Sequence, residues 1–288
     1  MGNAFTVSIT RASSSFTHVV TLDDGSTRLY SSGNTIGTSD SVNVALSTLA
    51  ARSPNATSKT FTVKVATFNG STYIGSTSKN ITGNVPSTVK PTFSAVTVSE
   101  NVSAVNKSRL NLAITGASGI YGSTIKSYSI RGVGHSSSAS STTTGVLSVS
   151  GNQTIKGTVT DSRGQTFEKS IVVNILPYSP PTLSGLSFRR TLPDKTTAPL
   201  GDNATVRANV KVQSLIVNGV EKNSIRYRVQ SAQSGGSFAD KANTTATGLT
   251  KSYSDVWSGY SVDYSYNFRV RAGDVFGWGS WFVGVIPT

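Results

Sequence analysis

Any chemistry in this chain has to come from few residues. Only two histidines are present, His18 and His135, and there is no cysteine. His18 sits in an alternating apolar run and His135 beside a serine run. With so few carboxylates, no metal-ligand spacing appears around either. Serines near His135 imitate half of a nucleophilic triad, but no Gly-x-Ser-x-Gly elbow accompanies them. Glycoside hydrolysis needs two placed carboxylates. Asp161 and Asp274 each open an Asp-x-x-Gly turn, where an Asx side chain caps backbone groups. Asp23-Asp24-Gly25-Ser26 is followed by too few oxygen donors to be a calcium loop. The residues point to no catalytic group, no metal and no cofactor, so a non-enzyme is expected.

Binding is the chemistry that remains. Arg226 and Arg228, like Arg269 and Arg271, alternate with apolar residues, so both side chains of a pair leave their strand on one face. If the two strands are neighbours, four guanidinium groups form a plate, with Tyr227, Val229, Phe268 and Val270 turned inward. Such a plate suits a phosphate-rich or acidic polymer such as teichoic acid. It suits better still a solvated face packed on carboxylates such as Asp263 or Glu221. Trp257, Tyr260 and Trp278 are candidate aromatic contacts for a sugar. Tyr264, Tyr266 and Trp281 are expected in the core or at its corner.

The elements that would hold these residues are strands. The chain has 288 residues, enough for two or three domains. Only 14% of them are charged and 36% hydrophobic, against roughly 25% charged in ordinary globular chains. The apolar residues fall in short alternating runs, which argues for half-buried strands and not for disorder. The absence of cysteine leaves stability to core burial. The formal net charge of +13 is spread along the chain, a basic surface that can attract anionic polymers. No apolar run is long enough to span a membrane, and no nucleic acid partner is expected.

One stretch occurs twice. Pro91-Thr92-Phe93-Ser94-Ala95-Val96-Thr97-Val98 is answered by Pro181-Thr182-Leu183-Ser184-Gly185-Leu186-Ser187-Phe188. Each follows an apolar-proline pair, Val85-Pro86 or Leu176-Pro177, and a third pair, Ile286-Pro287, ends the sequence. A repeat of about 90 to 110 residues fits a string of β-sandwiches. The expected fold is therefore all-β, three tandem immunoglobulin/fibronectin III-like β-sandwiches in an elongated array. The modules are residues 1–87, 88–180 and 181–288. Hairpins are expected at Asp24-Gly25 and Asn69-Gly70. A short helix near 43–52 would be capped by Asp40 and stopped by Pro54. Strands are expected at 93–99, 110–114, 125–130, 145–149, 153–159 and 167–176, with Ser136–Thr144 a loop or weak edge strand.

Tyr264 to Ser280 resembles the last two strands and turn of fibronectin type III domains, with Tyr264 or Tyr266 as the corner tyrosine. The chain as a whole resembles minor structural proteins of tailed phages, especially streptococcal siphophages. The carriers are Arg11–His18, Pro54–Ser58, Asn69–Ser76, Tyr121–Tyr128, Thr144–Ser148, Val159–Gly164, Tyr178–Pro181 and Arg190. This resemblance implies a non-enzymatic virion protein of the tail tip or baseplate, a modular spacer and host-adhesion component. It would be extracellular when acting. Its partners would be other tail or baseplate proteins and host cell-wall polysaccharide or teichoic acid, with the oligomeric state open. The alternatives are a carbohydrate- or wall-polymer-binding module in its own right, and a fragment of a bacterial cell-surface adhesin. The terminal apolar-proline pair suggests a cut from a longer protein.

Overall fold

A computed structural model describes residues 1–33 and 37–288. Among the described residues the chain is built of β-strands, with one six-residue helix, Leu46–Ala51. The strands stack as tandem β-sandwiches. Contacts group them into two compact units. One comprises Met1–Ser99, Leu110–Gly145 and Gln153–Val173, the other Glu100–Arg109, Val146–Asn152 and Asn174–Thr288.

In the first unit, Thr27–Ser31, Phe16–Asp24, Ser58–Asn69 and Thr72–Asn84 form an antiparallel sheet in that order. Phe5–Ser8 pairs with Ser39–Val42 apart from it. Alternate residues of the long strands are buried, so Val20, Leu22, Phe61 and Val63 form a core with Val42 and Leu49. A second pair of sheets follows. One runs His135–Ser137, Ile125–Gly132, Gly151–Asp161, Thr166–Ile175, and the other Ser141–Thr143, Asn111–Thr115, Ala95–Ser99. Gly157 is where they close. A Cβ there would lie 2.6 Å from Val96 and 3.1 Å from Ile114.

The third sandwich lies in the second unit. Thr182–Thr191, Asn203–Lys211 and Thr250–Ser258 make one sheet. The other is ordered Ala239–Ala246, Ile225–Gln233, Tyr266–Asp274, with Gly277–Trp278 and Phe282–Ile286 both pairing with Tyr266–Asp274. Ala204, Val206, Ala208 and Val210 meet Ile225, Tyr227, Val229, Phe268 and Val270 in the core.

Local signals mostly hold, with exceptions. Both expected hairpins form, with Gly25 and Gly70 at positive φ. Two consecutive left-handed residues make the turn at Asn218-Gly219 (φ 51° and 76°), which folds Ile216–Val217 onto Val220–Glu221, and the turn at Val133-Gly134 (φ 49° and 72°), which folds Ile125–Gly132 onto His135–Ser137. Asp40 is not a helix cap. It lies in a strand and accepts a hydrogen bond from Tyr30, while Ala45 precedes the helix with no side-chain cap. Residues 145–149 form no strand. Leu147 is buried there, but its amide donates to Ser108 O in a loop. The serine run instead supplies the short strands His135–Ser137 and Ser141–Thr143.

Both proline seams are packed across. At the first, Ala50, Val85 and Val89 are buried together with Leu46 and Ile120 against them. Arg163, at the tip of the Asp161–Gly164 turn, reaches into this seam. Its Nε donates to Ser53 O (2.8 Å), Nη1 to Ile120 O (2.7 Å), and Nη2 to Ala50 O (3.1 Å) and Tyr121 O (2.6 Å). Asp161 lies 3.7 Å away, and both side chains are fully buried. At the second seam Val102, Ala104 and Leu215 are buried with Leu176, Tyr178 and Phe276. Tyr178 meets Phe276 edge to face at 5.1 Å and donates to Asp274 Oδ2 (2.9 Å). Burial, then the Asp274 carboxylate, pushes the Tyr178 hydroxyl pKa up, which keeps it a donor.

Removing the Arg163 guanidinium takes the cation from beside the buried Asp161 carboxylate and strips the Ser53 and Tyr121 carbonyls of their donor, while the Ala50 and Ile120 carbonyls keep Ser53 and Ser123. Arg163→Ala should lower unfolding free energy by about 3–5 kcal/mol, the cost of breaking a buried pair. Urea denaturation would read it, and a loss near zero would show that water replaces the side chain at no cost.

Candidate functional site

The four arginines do share a face. Ile225–Gln233 and Tyr266–Asp274 are antiparallel neighbours, with Arg228 opposite Arg271, Gln230 opposite Arg269 and Arg226 opposite Gly273. Tyr227, Val229, Phe268 and Val270 are fully buried on the other side, as alternation requires.

Aromatic rings then interleave with the guanidinium groups. Arg226 lies over Trp278 (4.4 Å from guanidinium carbon to ring centre), and Arg271 over both Trp278 (4.6 Å) and Trp281 (4.2 Å). Arg269 lies over Trp281 (4.6 Å) and Phe238 (4.1 Å). These are cation–π distances, and stacking takes up the flat face of each guanidinium. Gly273 makes room for the first indole, because a Cβ there would lie 2.9 Å from the Trp278 ring.

One carboxylate serves the plate, and it is neither Asp263 nor Glu221. Asp240 takes Arg228 in a two-pronged bond, Nε and Nη2 each at 2.7 Å, and also accepts from Gln230 at 2.8 Å. Gln230 in turn accepts from Arg269 Nε at 2.7 Å. A β-bulge puts Asp240 there. The ladder pairs Val229 with Ala242 and then Gln230 with Asp240, skipping Lys241. A regular register would set an ammonium among the arginines. Glu221 is turned instead to Ser214 and the amides of Leu215 and Asn223, and Asp263 to Ser261.

The charges shift one another. Arg228, then Gln230, holds the Asp240 carboxyl down to about 2. Burial, then repulsion from Arg228, Arg269 and Arg226, lowers the pKa of Arg271. Its Nε is buried without a hydrogen-bond partner.

The aromatic candidates fare differently. Trp278 belongs to the stack. Tyr260 is not a contact residue, for it is 3% exposed, packs in the core and bonds Ser231 through its hydroxyl (2.9 Å). Trp257 is half-buried and packs against the same core, stacked 6.5 Å from Phe268. Of the residues expected inside, Tyr266 packs against the core, Trp281 joins the stack and Tyr264 is 51% exposed.

Residues with acid–base potential are occupied elsewhere. His18 is buried with Nδ1 against Thr67 (3.0 Å), and His135 Nε2 meets Thr142 (2.9 Å). Asp161 accepts from the amides of Arg163 and Gln165, and Asp274 from that of Phe276, the turn-capping role expected of them. Asp23 pairs with Arg28 and Asp24 with Lys59. Among the described residues no group of three or more His, Asp or Glu could hold a metal, and no helix is long and apolar enough to cross a membrane. A groove of about 600 Å³ between Phe5–Ser8 and the edge strand at Thr77–Ile81 has Lys79 as its one ionisable lining residue.

A family model described as a siphovirus protein of unknown function matches residues 1–284. No curated protein matches the sequence. Among solved structures, three N-terminal domains of the bacteriophage RB49 highly immunogenic outer capsid protein are 15% identical, with TM-score 0.39, over 98% of this chain and 92% of that one. Domains A168–A170 of titin are 12% identical, with TM-score 0.36, over 99% of each chain. A two-domain fibronectin type III segment of chicken tenascin is 15% identical, with TM-score 0.24, over 69% of this chain and 99% of that one. Overlaps this loose are no guide to function.

Because Asp240 titrates well below an ordinary carboxylate, its pairing contributes fully above about pH 4 and is lost as pH falls through the folded value. Carboxyl-carbon NMR should give Asp240 a midpoint of about 2. Arg228→Gln should move that midpoint up toward the ordinary range, and an unmoved one would free Arg228 from responsibility.

Proposed function

We propose, because this chain belongs to the siphovirus protein family that matches it over residues 1–284, that it is a non-enzymatic structural protein of the virion. Its place is the tail tip or baseplate of a phage with a streptococcal host. There it acts as a modular spacer and host-adhesion component beside other tail proteins. The observation that carries the spacer reading is the packing of both seams. A linker that only tethered would leave Arg163, Tyr178 and Phe276 in water, whereas each is engaged at a seam. The non-enzymatic reading is supported by what surrounds the titratable groups. Both histidines meet threonine hydroxyls, and the turn aspartates are spent on backbone amides.

A second reading, a wall-polymer-binding module in its own right, is favoured by the arginine face. The two are compatible where adhesion and spacing share one protein.

Gold-labelled antibodies raised against residues 1–288 and applied to intact virions test the placement. Label concentrated at the tail tip is the expected result. Label confined to the head, or none on virions that contain the protein by mass spectrometry of denatured particles, would overturn the tail assignment.

A further inference from the structure

The geometry points to an alditol phosphate polymer as the ligand of the arginine face, held by Arg226, Arg269 and Arg271. This rests on the virion reading only for the source of the polymer, the host cell wall.

The face carries more positive charge than its own surroundings answer. Arg228 is committed to Asp240 through both prongs. Among the described residues no carboxylate lies within ion-pair distance of Arg226, Arg269 or Arg271, and Arg226 makes no hydrogen bond there. Like charges directly opposite on neighbouring strands, as Arg228 and Arg271 are, destabilise a sheet. The stacked rings hold the arginines in place against that repulsion. Stacking takes the guanidinium faces and not their edges, so apart from Arg269 Nε, held by Gln230, and Arg271 Nε, which is buried, the in-plane N–H groups of the three are left to donate. Donors fixed in advance lose little freedom on binding.

The spacing selects a polymer over a single small anion. Residues two apart on a strand are about 7 Å apart, and neighbouring strands about 4.8 Å. The charges therefore repeat along and across the sheet, which matches a chain with an anion on every repeat. A neutral sugar or a single-stranded nucleic acid would need open aromatic faces to stack on. Trp278 and Trp281 have theirs over guanidinium groups, so an alditol phosphate chain, which needs no stacking, fits better.

Calorimetric titration with purified poly(glycerol phosphate) tests this. Its parallel arms are a neutral wall polysaccharide and single-stranded DNA with the same number of phosphates. The glycerol phosphate polymer should bind. With three contacts its affinity should fall roughly 20-fold over a fourfold rise in salt, on the counterion-release scale for a single-stranded polyanion. Arg226→Gln should weaken binding about tenfold, the loss of one charge-assisted hydrogen bond. Asp240→Asn, at an exposed position, should strengthen binding by releasing Arg228, an outcome that a purely structural stack would not give. Wild-type protein that ignores the polymer, or Asp240→Asn and Arg226→Gln both binding as wild type, would overturn the proposal. Preference for DNA would overturn the ligand class. None of these failures would move antibody label away from the tail tip, so the virion reading stands or falls separately.

Discussion

Chain that leaves a helix or a sheet carries carbonyl groups that no ladder N–H reaches, and out of water each needs a donor. Two buried arginines meet that need here. Arg163 collects the carbonyls of Ala50, Ser53, Ile120 and Tyr121. Arg190 collects those of Gly201, Tyr260, Ser261, Tyr264 and Pro287. A planar guanidinium with five fixed donors can serve several carbonyls at once, which a flexible ammonium cannot. With no cysteine, the chain has no covalent cross-link to hold such loops together, and the loops converge on these side chains instead.

The Asp-x-x-Gly turn is the frame on which the seams are built. In both copies the aspartate is buried and ties down the amide two residues on. That fixes the residue at the turn tip, and the two tips use different chemistry. Arg163 binds backbone carbonyls, while Phe276 packs against Tyr178 in an apolar cluster. The same backbone device thus supports a polar joint and an oily one. What the tip residue must do is reach the preceding segment of chain and leave nothing unsatisfied there.

Much of this was legible in the residues. Two-residue alternation marks the long strands and sets Arg226, Arg228, Arg269 and Arg271 on one face, because side-chain direction in a strand follows parity alone. Other features escaped because they depend on distant partners. Ala239–Ala246 has little apolar patterning, so neither that edge strand nor the bulge that delivers Asp240 announces itself. Tyr260 lies in a loop that reads as exposed, yet Arg190 binds its carbonyl and buries it. Asp40 precedes an apolar run as a cap would, but pairing with Phe5–Ser8 claims it for a strand. Trp278 and Trp281 are three residues apart, and it is the strand pairing, not that spacing, that brings Arg271 over both.

The distribution of indole groups has an optical consequence. All three tryptophans of the chain, Trp257, Trp278 and Trp281, belong to the third sandwich. Emission excited selectively at tryptophan is thus a reporter on that sandwich alone. Melting of the first two would go unseen in it, and a cooperative fluorescence trace would describe only the last part of the chain.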